Sequence, residues 1–295
     1  MLASECHRYA VSMTEPTHVI LTLRCPDRPG IVHAATGAIA RAQGNITELQ
    51  QFTSQDSGRF FMRVQVQSGF DTDAFRALVV PIAEELQAEW TLDDVGRPRR
   101  TLVLVSKAGH CLNDLLFRQR TGYLPVTIPL ILANHDDLRP LADFYDIPFE
   151  NHVVVPETKR AMEDRIRAAV ADLDIEIVVL ARYMQILSPE LCDDLSGRAI
   201  NIHHSFLPGF VGANPYRQAH DRGVKLIGAT AHFVTSVLDE GPIIEQNVRR
   251  VDHAADVPQL VAVGQEQESR TLTEAVRLVA EHRVLRDGTR TVIFR

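Results

Sequence analysis

The sequence has few cysteines, and they do not form a disulfide framework or a zinc-binding motif. Cys6, Cys25, Cys111 and Cys192 are the only four among 295 residues, and no two of them make a C-x-x-C pair. Disulfides that staple a chain of this size would need many more cysteines. We therefore expect free thiols and a protein of the reducing cytosol, that is, a cytoplasmic protein.

Long apolar runs and an excess of positive charge are also missing. Uninterrupted apolar stretches such as Ile177–Ala181 are far shorter than the ~18 residues that span a bilayer. Residues 1–17 contain no apolar secretory segment, so we expect a flexible tail there. The 31 Lys and Arg against 38 Asp and Glu leave a net charge of −7, which opposes attraction to phosphate backbones. We expect neither a membrane nor a nucleic acid as partner.

Several common catalytic motifs are absent as well. The sequence has no G-x-G-x-x-G, no P-loop lysine motif, no H-E-x-x-H and no G-x-S-x-G. Dinucleotide binding, nucleotide triphosphate hydrolysis, zinc proteolysis and serine hydrolysis therefore lack support.

The first third of the chain alternates between strand and helix patterns. Apolar alternation predicts strands at residues 19–24, 46–53, 60–66 and 90–93, and helical spacing predicts helices at residues 31–42 and 75–86. Pro81 predicts a kink or a late start in the second helix. The order βαββαβ is that of a ferredoxin-like α+β domain, with two helices on one face of an antiparallel sheet. We place this domain at residues 18–95.

The composition changes at a short polar segment, residues 96–100, which we interpret as a linker. Its three arginines are interpreted as solvated linker charges, since no wider basic face accompanies them.

Residues 101–295 carry the pattern of an α/β domain with a doubly wound, mostly parallel, Rossmann-like sheet. Apolar runs predict buried strands at residues 101–106, 127–133, 175–181 and 199–203, separated by helices at residues 111–120, 137–144, 158–173 and 188–195. Ligands of such sheets bind beyond the carboxyl ends of the strands. Chemistry is therefore expected just after these strands.

Two polar residues end the last of these strands. Asn201 and His203 alternate along it and so project to one side, whereas His204 is expected to point the other way. Satisfied polar groups that cap a strand are the ordinary explanation of an isolated Asn-x-His tripeptide. A second segment, residues 232–242, ends another strand in a loop with the adjacent acids Asp239 and Glu240.

Four segments, in suitable order, resemble the glycinamide ribonucleotide transformylase-like family of formyl-folate enzymes. They are Ala181-Arg182-Tyr183-Met184-Gln185-Ile186-Leu187, Asn201-Ile202-His203 with Ser205-Phe206-Leu207-Pro208, Phe210-Val211-Gly212, and Leu238-Asp239-Glu240-Gly241-Pro242-Ile243. Separately, Cys25-Pro26-Asp27-Arg28-Pro29-Gly30-Ile31 and Gly44-Asn45-Ile46 resemble an ACT domain. This combination is similar to that of hydrolases that convert 10-formyltetrahydrofolate to formate and tetrahydrofolate. It implies formate supply for purine synthesis or balance of the one-carbon folate pool.

The resemblance implies Asn201, His203 and Asp239 as catalytic residues. Asn201 would donate to the developing oxyanion, His203 would polarise the formyl oxygen or manage protons, and Asp239 would orient His203 or the attacking water. The folate-binding residues implied are Met184, Gln185, Ile186, Leu187 and Gly212. Ordinary core packing is the alternative for Met184, Ile186 and Leu187. The folate is the substrate, and no cofactor is implied.

His203, His232 and Asp239 also suggest a triad of two histidines and one carboxylate that could bind a metal. Their spacing lacks a short pair of ligands, and the resembled family uses no metal. We expect no metal.

The first strand-to-helix loop bears on which formyl-folate reaction is catalysed. Transformylases of the resembled family hold a substrate phosphate there on a Gly-x-Gly-Ser-Asn loop, but this chain has Lys107, His110 and Cys111 at the corresponding positions. Loss of the phosphate cradle favours water as the acceptor, although Lys107 leaves room for an anion. Cys111 is interpreted as a packed thiol; a nucleophile at a helix start is the alternative.

The ACT-like domain suggests an amino-acid effector near Asp27, Gly30 and Asn45. Self-association through sheet edges is the alternative use of this domain, and we expect a homo-oligomer, a dimer or a tetramer. Three functions stay open at this stage. They are a folate hydrolase, a formyltransferase to a small amine or tRNA, and a non-catalytic binder; the hydrolase is favoured.

Overall fold

The computed structural model describes residues 17–69, 71–207 and 215–295. The chain divides into two compact units, one ending at Val95 and the other beginning at Gly96. Each unit is described by itself.

The first unit is a four-stranded antiparallel sheet with two helices. Its elements are β1 (Thr17–Pro26), α1 (Ile31–Arg41), β2 (Asn45–Ser54), β3 (Arg59–Ser68), α2 (Thr72–Leu86) and β4 (Glu89–Asp94). The strand order is β2-β3-β1-β4, with β1 pairing antiparallel to both β3 and β4. This arrangement confirms the ferredoxin-like fold predicted from the order of strands and helices.

One apolar core holds this unit together. Inward residues of β1 and β3, such as Leu21 and Val64, pack against buried residues of both helices, such as Ile39 and Phe75. Pro81 lies inside α2, and the helix begins at Thr72, where the Asp71 side chain accepts a hydrogen bond from the Ala74 N–H. Of the two expectations for Pro81, a kink or a late start, the late start is wrong, because the N-cap at Asp71 fixes the beginning of the helix upstream of the proline.

The second unit contains a seven-stranded sheet. Its strands are β5 (Arg99–Val105), β6 (Val126–Ala133), β7 (Phe149–Asn151), β8 (Ile177–Ala181), β9 (Ala199–His203), β10 (Leu226–Phe233) and β11 (Ile243–Arg250). The order is β11-β10-β9-β8-β5-β6-β7. β7, β6, β5, β8 and β9 run parallel, and β10 and β11 continue the sheet in antiparallel fashion. A mostly parallel, doubly wound sheet is thus confirmed.

Helices cover both faces of this sheet. They are α3 (His110–Arg120), α4 (Arg139–Phe144), α5 (Lys159–Asp172), α6 (Pro189–Asp194), α7 (Pro215–Asp221) and α8 (Val257–Ala280), and a hairpin of β12 (Val284–Asp287) and β13 (Arg290–Ile293) follows. Alternate residues of one strand enter two different cores. Val103 and Val105 pack in one with α3 and α8, and Leu102 and Leu104 pack in the other with α5 and α6.

β5 begins at Arg99, within residues 96–100 that the sequence indicated as a linker, and not at residue 101. Arg97 donates two hydrogen bonds to the Glu176 carboxylate, at 2.7 and 3.1 Å, and the Arg100 guanidinium bonds the Leu173 carbonyl. These two arginines are therefore engaged within the second unit. Across the described ranges, no helix is both long and apolar enough to cross a membrane.

Candidate active site

The carboxyl ends of β5, β8 and β9 lie side by side because these strands are parallel neighbours. Ser106 follows β5, Arg182 follows β8, and His203 ends β9. The Ser106 hydroxyl accepts a hydrogen bond of 2.9 Å from the Met184 N–H. This bond fixes the segment after β8 against the end of β5, at the edge of the sheet where ligands are expected.

The antiparallel pairing of β9 with β10 brings two polar residues together. In this register Asn201 lies opposite His232, and His203 lies opposite Thr230. Directly paired residues project to the same face. The amide Nδ2 of Asn201 accordingly lies 3.3 Å from Nε2 of His232. Nδ1 of His232 donates to the Phe233 carbonyl at 2.9 Å, which leaves Nε2 of the neutral ring to accept from Asn201.

Asp239 completes the cluster from the loop after β10. Its carboxylate lies 3.1 Å from Nδ1 of His203 and 3.6 Å from Nε2 of His232. The hydrogen bond from His203, and then the nearness of the His232 imidazole, hold the pKa of the Asp239 carboxyl well below its usual range. The carboxylate is therefore ionised at every pH at which the protein is expected to work, and it can orient an imidazole.

The loop that carries Asp239 returns through a position where only glycine fits. A Cβ atom on Gly241 would overlap the carbonyl oxygen of Phe233, and the Phe233 N–H bonds the Pro242 carbonyl at 2.9 Å. Asp239 itself has a φ of +58°, in the left-handed region. This strained backbone at a charged residue is typical of functional sites.

A cavity of about 340 Å³ opens beside this cluster. Its lining includes Asn201, His203 and Asp239 together with Met184, Gln185, Ile186 and Leu187. The structure thus brings together all three predicted catalytic residues and four of the five predicted folate-binding residues. The fifth, Gly212, lies outside the described residues. Met184 and Ile186 are more than 60% exposed, so they form the apolar rim of the cavity rather than core, whereas Leu187 is buried.

His204 does not point away from His203 as the strand alternation predicted. The β9 strand ends at His203, and the chain bends at the next residue, so the period-two rule no longer applies. The two imidazole rings are stacked, with centroids 4.8 Å apart and an interplanar angle of 22°, and both residues line the cavity.

A buried carboxylate that was not predicted from the sequence lies close to Arg182, a residue of the cavity lining. Glu268, on the inner face of α8, is 1% exposed. Its oxygens accept hydrogen bonds from Tyr216 (2.5 Å) and from Nε2 of His110 (2.7 Å), and Nε of Arg182 lies 3.3 Å away as an ion pair. Burial raises the pKa of Glu268, but the His110 hydrogen bond, the Arg182 charge and the Tyr216 hydrogen bond together lower it. Glu268 thus stays ionised. Its one signal in the sequence is its position four residues before the buried Leu272, on the same face of the helix, and this spacing alone does not show that an acid is buried.

Cys111 is a packed thiol and not a nucleophile. It is fully buried in the core shared with α3 and α8. Burial, and after it the charge of Glu268, raises the pKa of the Cys111 thiol well above its ordinary value. The thiolate that nucleophilic attack requires is therefore disfavoured.

Among the described residues, one group of metal-ligand atoms is clustered closely enough to hold an ion, namely His110, Cys111 and Glu268. It is not the triad of His203, His232 and Asp239 considered from the sequence. Glu268 already accepts hydrogen bonds from His110 and Tyr216, and the thiol is protonated, so this group does not fit a metal. That the reaction uses no metal stays a prediction.

The predicted effector residues of the first unit are all exposed. Asp27 follows β1, Gly30 has a φ of +94° at the start of α1, and Asn45 begins β2. Only glycine adopts such a φ readily, and the absence of a side chain would let an effector approach the backbone closely at this turn.

Comparison with known proteins places the fold in a class. Residues 99–276 match the family model described as formyl transferase, and residues 19–76 match the ACT domain. The fold and the site together define a formyl transferase domain preceded by an ACT domain.

The comparisons with whole proteins are more specific. A formyltetrahydrofolate deformylase of Corynebacterium sp. (strain P-1) is 46% identical over 286 residues, which cover 96% of this chain and all of that protein. The one of Synechocystis sp. is 45% identical and covers 93% of this chain and 97% of that protein. The crystal structure of the Burkholderia mallei formyltetrahydrofolate deformylase superimposes with a TM-score of 0.92 at 48% identity, covering 95% of this chain and 100% of that one. The chain belongs to the formyltetrahydrofolate deformylase family.

The burial of Cys111 gives a direct test of its role. We expect iodoacetamide at pH 8 to leave Cys111 unmodified in the folded protein and to alkylate it once urea unfolds the chain, as read by peptide mass spectrometry. The physical reason is the raised pKa together with the lack of solvent access. Rapid alkylation of Cys111 in the folded protein would show that the thiol is reactive after all.

Proposed function

We propose that this protein hydrolyses 10-formyltetrahydrofolate to formate and tetrahydrofolate, with Asn201, His203 and Asp239 at the reacting centre. The observation that carries the proposal is the meeting of these three side chains at the wall of one cavity with an apolar rim. The membership of a deformylase family over nearly the whole chain supports the same reaction.

Hydrolysis of an N-formyl group has three chemical requirements. A water oxygen bonds to the formyl carbon, the carbonyl oxygen becomes an oxyanion, and the C–N bond breaks as the folate nitrogen takes a proton. The second proton of the water is released when formic acid ionises. The site must therefore stabilise the oxyanion and move protons.

Asn201 is suited to the oxyanion. Its amide nitrogen has two N–H groups, and one of them is directed to Nε2 of His232. That bond fixes which end of the amide faces the cavity. The second N–H is then available to an oxygen on the formyl carbon.

His203 is suited to proton transfer. Asp239 holds its Nδ1, so the other ring nitrogen, Nε2, is the one that exchanges a proton, and in this structure it lies 2.8 Å from the Ser205 hydroxyl. An adjacent carboxylate stabilises the imidazolium that forms when Nε2 takes a proton. Asp239 is thus proposed to orient His203 and to balance its charge.

The apolar rim is proposed to enclose the pterin ring. Met184, Ile186, Val237 and Leu238 are exposed apolar residues around the cavity. Apolar surfaces with a few fixed polar groups are typical of small-molecule sites. The bond between the Met184 N–H and Ser106 keeps one side of this rim in place.

Hydrolysis is favoured over transfer by the loop before α3. His110 begins α3 and its Nε2 is hydrogen-bonded to the buried Glu268. In the transformylases that the sequence resembles, this position belongs to the loop that holds the phosphate of the second substrate. A histidine tied to a carboxylate is a poor cradle for phosphate, so water is the acceptor.

The reaction is tested by supplying 10-formyltetrahydrofolate alone and measuring formate. We expect formate and tetrahydrofolate in equal amounts, without any added amine, because water is the acceptor. Product that forms only with an added amine would contradict the proposal. Formate release that a chelator abolishes would contradict the separate prediction that no metal takes part.

The proposed role of Asp239 is tested by Asp239→Asn. The amide keeps the shape but loses the charge that holds His203, so we expect kcat to fall by about 10²- to 10⁴-fold. Glu240→Gln is the matched control, since Glu240 is the adjacent acid, is exposed and does not line the cavity. An Asp239→Asn variant that releases formate at the wild-type rate would rule out this assignment.

The ACT domain is proposed to bind an amino-acid effector near Asp27, Gly30 and Asn45. The exposed N-terminus of α1, with its free backbone N–H groups, supports a carboxylate there. We expect one amino acid among the twenty to change kcat or KM, and Asp27→Asn to abolish that change while Asp73→Asn preserves it. No response to any amino acid would contradict the effector proposal.

Self-association through this domain and a cytoplasmic location of the protein stay predictions. The cytoplasmic location is supported by the buried free thiols of Cys25, Cys111 and Cys192.

A further inference from the structure

One ring nitrogen of His204 is committed to an arginine. Nη1 of Arg182 lies 2.8 Å from Nδ1 of His204. A guanidinium only donates hydrogen bonds, so Nδ1 of His204 must accept. The proton of the neutral imidazole is therefore on Nε2.

Arg182 is held in place from its other side. It has a φ of +61°, which is uncommon for a residue with a side chain, and its Nε forms an ion pair with Glu268 at 3.3 Å. Glu268 is itself fixed by Tyr216 and His110. A Cβ atom on Gly264 would overlap the Tyr216 side chain, so the helix α8 approaches Tyr216 more closely than any other residue at 264 would allow. A buried carboxylate and a strained backbone together are costly, which indicates a role beyond stability.

Nε2 of His204 is buried, and the described part of the chain offers it no hydrogen-bond partner. The ring is stacked on His203, and the residue lines the cavity. An unpaired buried N–H group is rare in folded proteins, because it forfeits the hydrogen bond that it would make in water. Such a group beside a reacting centre is a donor ready for a substrate oxygen.

The His204 ring stays neutral, with its proton on Nε2, because its pKa is low. Burial, then the charges of Arg182 and His203, lower its pKa to about 4, against the opposing effects of Glu268 and Asp239. His204 is thus neutral at any pH near 7. It has a proton to share at Nε2 and no free lone pair, so it cannot act as a base.

We propose that His204 is a further catalytic residue of the hydrolysis, whose Nε2–H donates a hydrogen bond to an oxygen on the formyl carbon in the tetrahedral intermediate. This inference rests on the proposed function. His204 keeps its proton throughout: the water oxygen forms the new bond to carbon, the C–N bond breaks, and the transferred proton goes to the folate nitrogen from another group. Arg182 and Glu268 act through His204 and are positioning residues.

The proposal is tested by two substitutions of one residue. His204→Leu fills the space without a donor, and we expect kcat to fall by about 10²- to 10³-fold with little change in KM, because the bond forms only in the transition state. His204→Gln places an amide N–H near the position of Nε2, and we expect it to recover at least about tenfold of that loss. His253→Leu is the matched control, because His253 is exposed and lies away from the cavity lining.

The possible outcomes distinguish a failure of the proposed function from a failure of the role proposed for His204. Wild-type protein that releases no formate contradicts the proposed function. Wild-type protein that releases formate while His204→Leu keeps a kcat within threefold of it overturns only the role of His204. Equal losses in the folded Leu and Gln variants also overturn the donor role, because a donor should be rescued in part by the amide.

A second measurement depends neither on catalytic activity nor on whether the His204→Leu variant folds. Nitrogen-15 labelling of the histidines and long-range proton–nitrogen correlation at pH 7 report the tautomer of each ring. We expect the resonances that disappear in His204→Gln to show a neutral ring with its proton on Nε2, and to keep that form at pH 6. A charged ring, or a proton on Nδ1, would overturn the proposal.

Discussion

The antiparallel pairing of β9 with β10 is the interaction on which the rest of the site depends. The run of five parallel strands ends at β9, and the reversal of direction at β10 places His232 opposite Asn201 in the same sheet. β10 runs from Thr230, opposite His203, to Phe233, opposite Ile200, and the loop that follows it folds back to place Asp239 beside His203. A shift of this register by one residue would separate the side chains of Asn201 and His232 onto opposite faces of the sheet.

Two carboxylates, Asp239 and Glu268, interact with different positively charged or hydrogen-bonding groups of the site. Asp239 is partly exposed and holds His203, whereas Glu268 is buried and holds Arg182 and His110. In both, hydrogen bonds and nearby positive charge outweigh burial, so both remain ionised. The two stacked histidines therefore have different partners: His203 faces an anion and His204 faces a cation. In the proposed mechanism, this contrast lets His203 exchange a proton while His204 keeps one.

Much of this arrangement was predictable from the sequence, and the rest was not for identifiable reasons. The apolar strands and the polar residues at their carboxyl ends located Asn201 and His203, because parallel strands have a fixed relation to their ligands. Glu268 was not found, since periodicity does not distinguish a buried acid from an exposed one on a long helix. Arg182 has a left-handed backbone that its residue type disfavours, and His204 lies where the strand ends, so local rules failed at both. These failures are concentrated around the reacting centre, where local preferences give way to tertiary contacts.

The close contact at Gly241 also divides the loop after β10 into two parts that differ in how far they can tolerate changes of sequence. The returning end is fixed, because no side chain fits against the Phe233 carbonyl oxygen. The outward part, where Val237 and Leu238 are exposed at the rim of the cavity, is free of this contact and can accept changes of length. The width of the entrance can thus diverge among relatives while the distance from Asp239 to His203 is kept, so that substrate fit and proton chemistry can evolve separately.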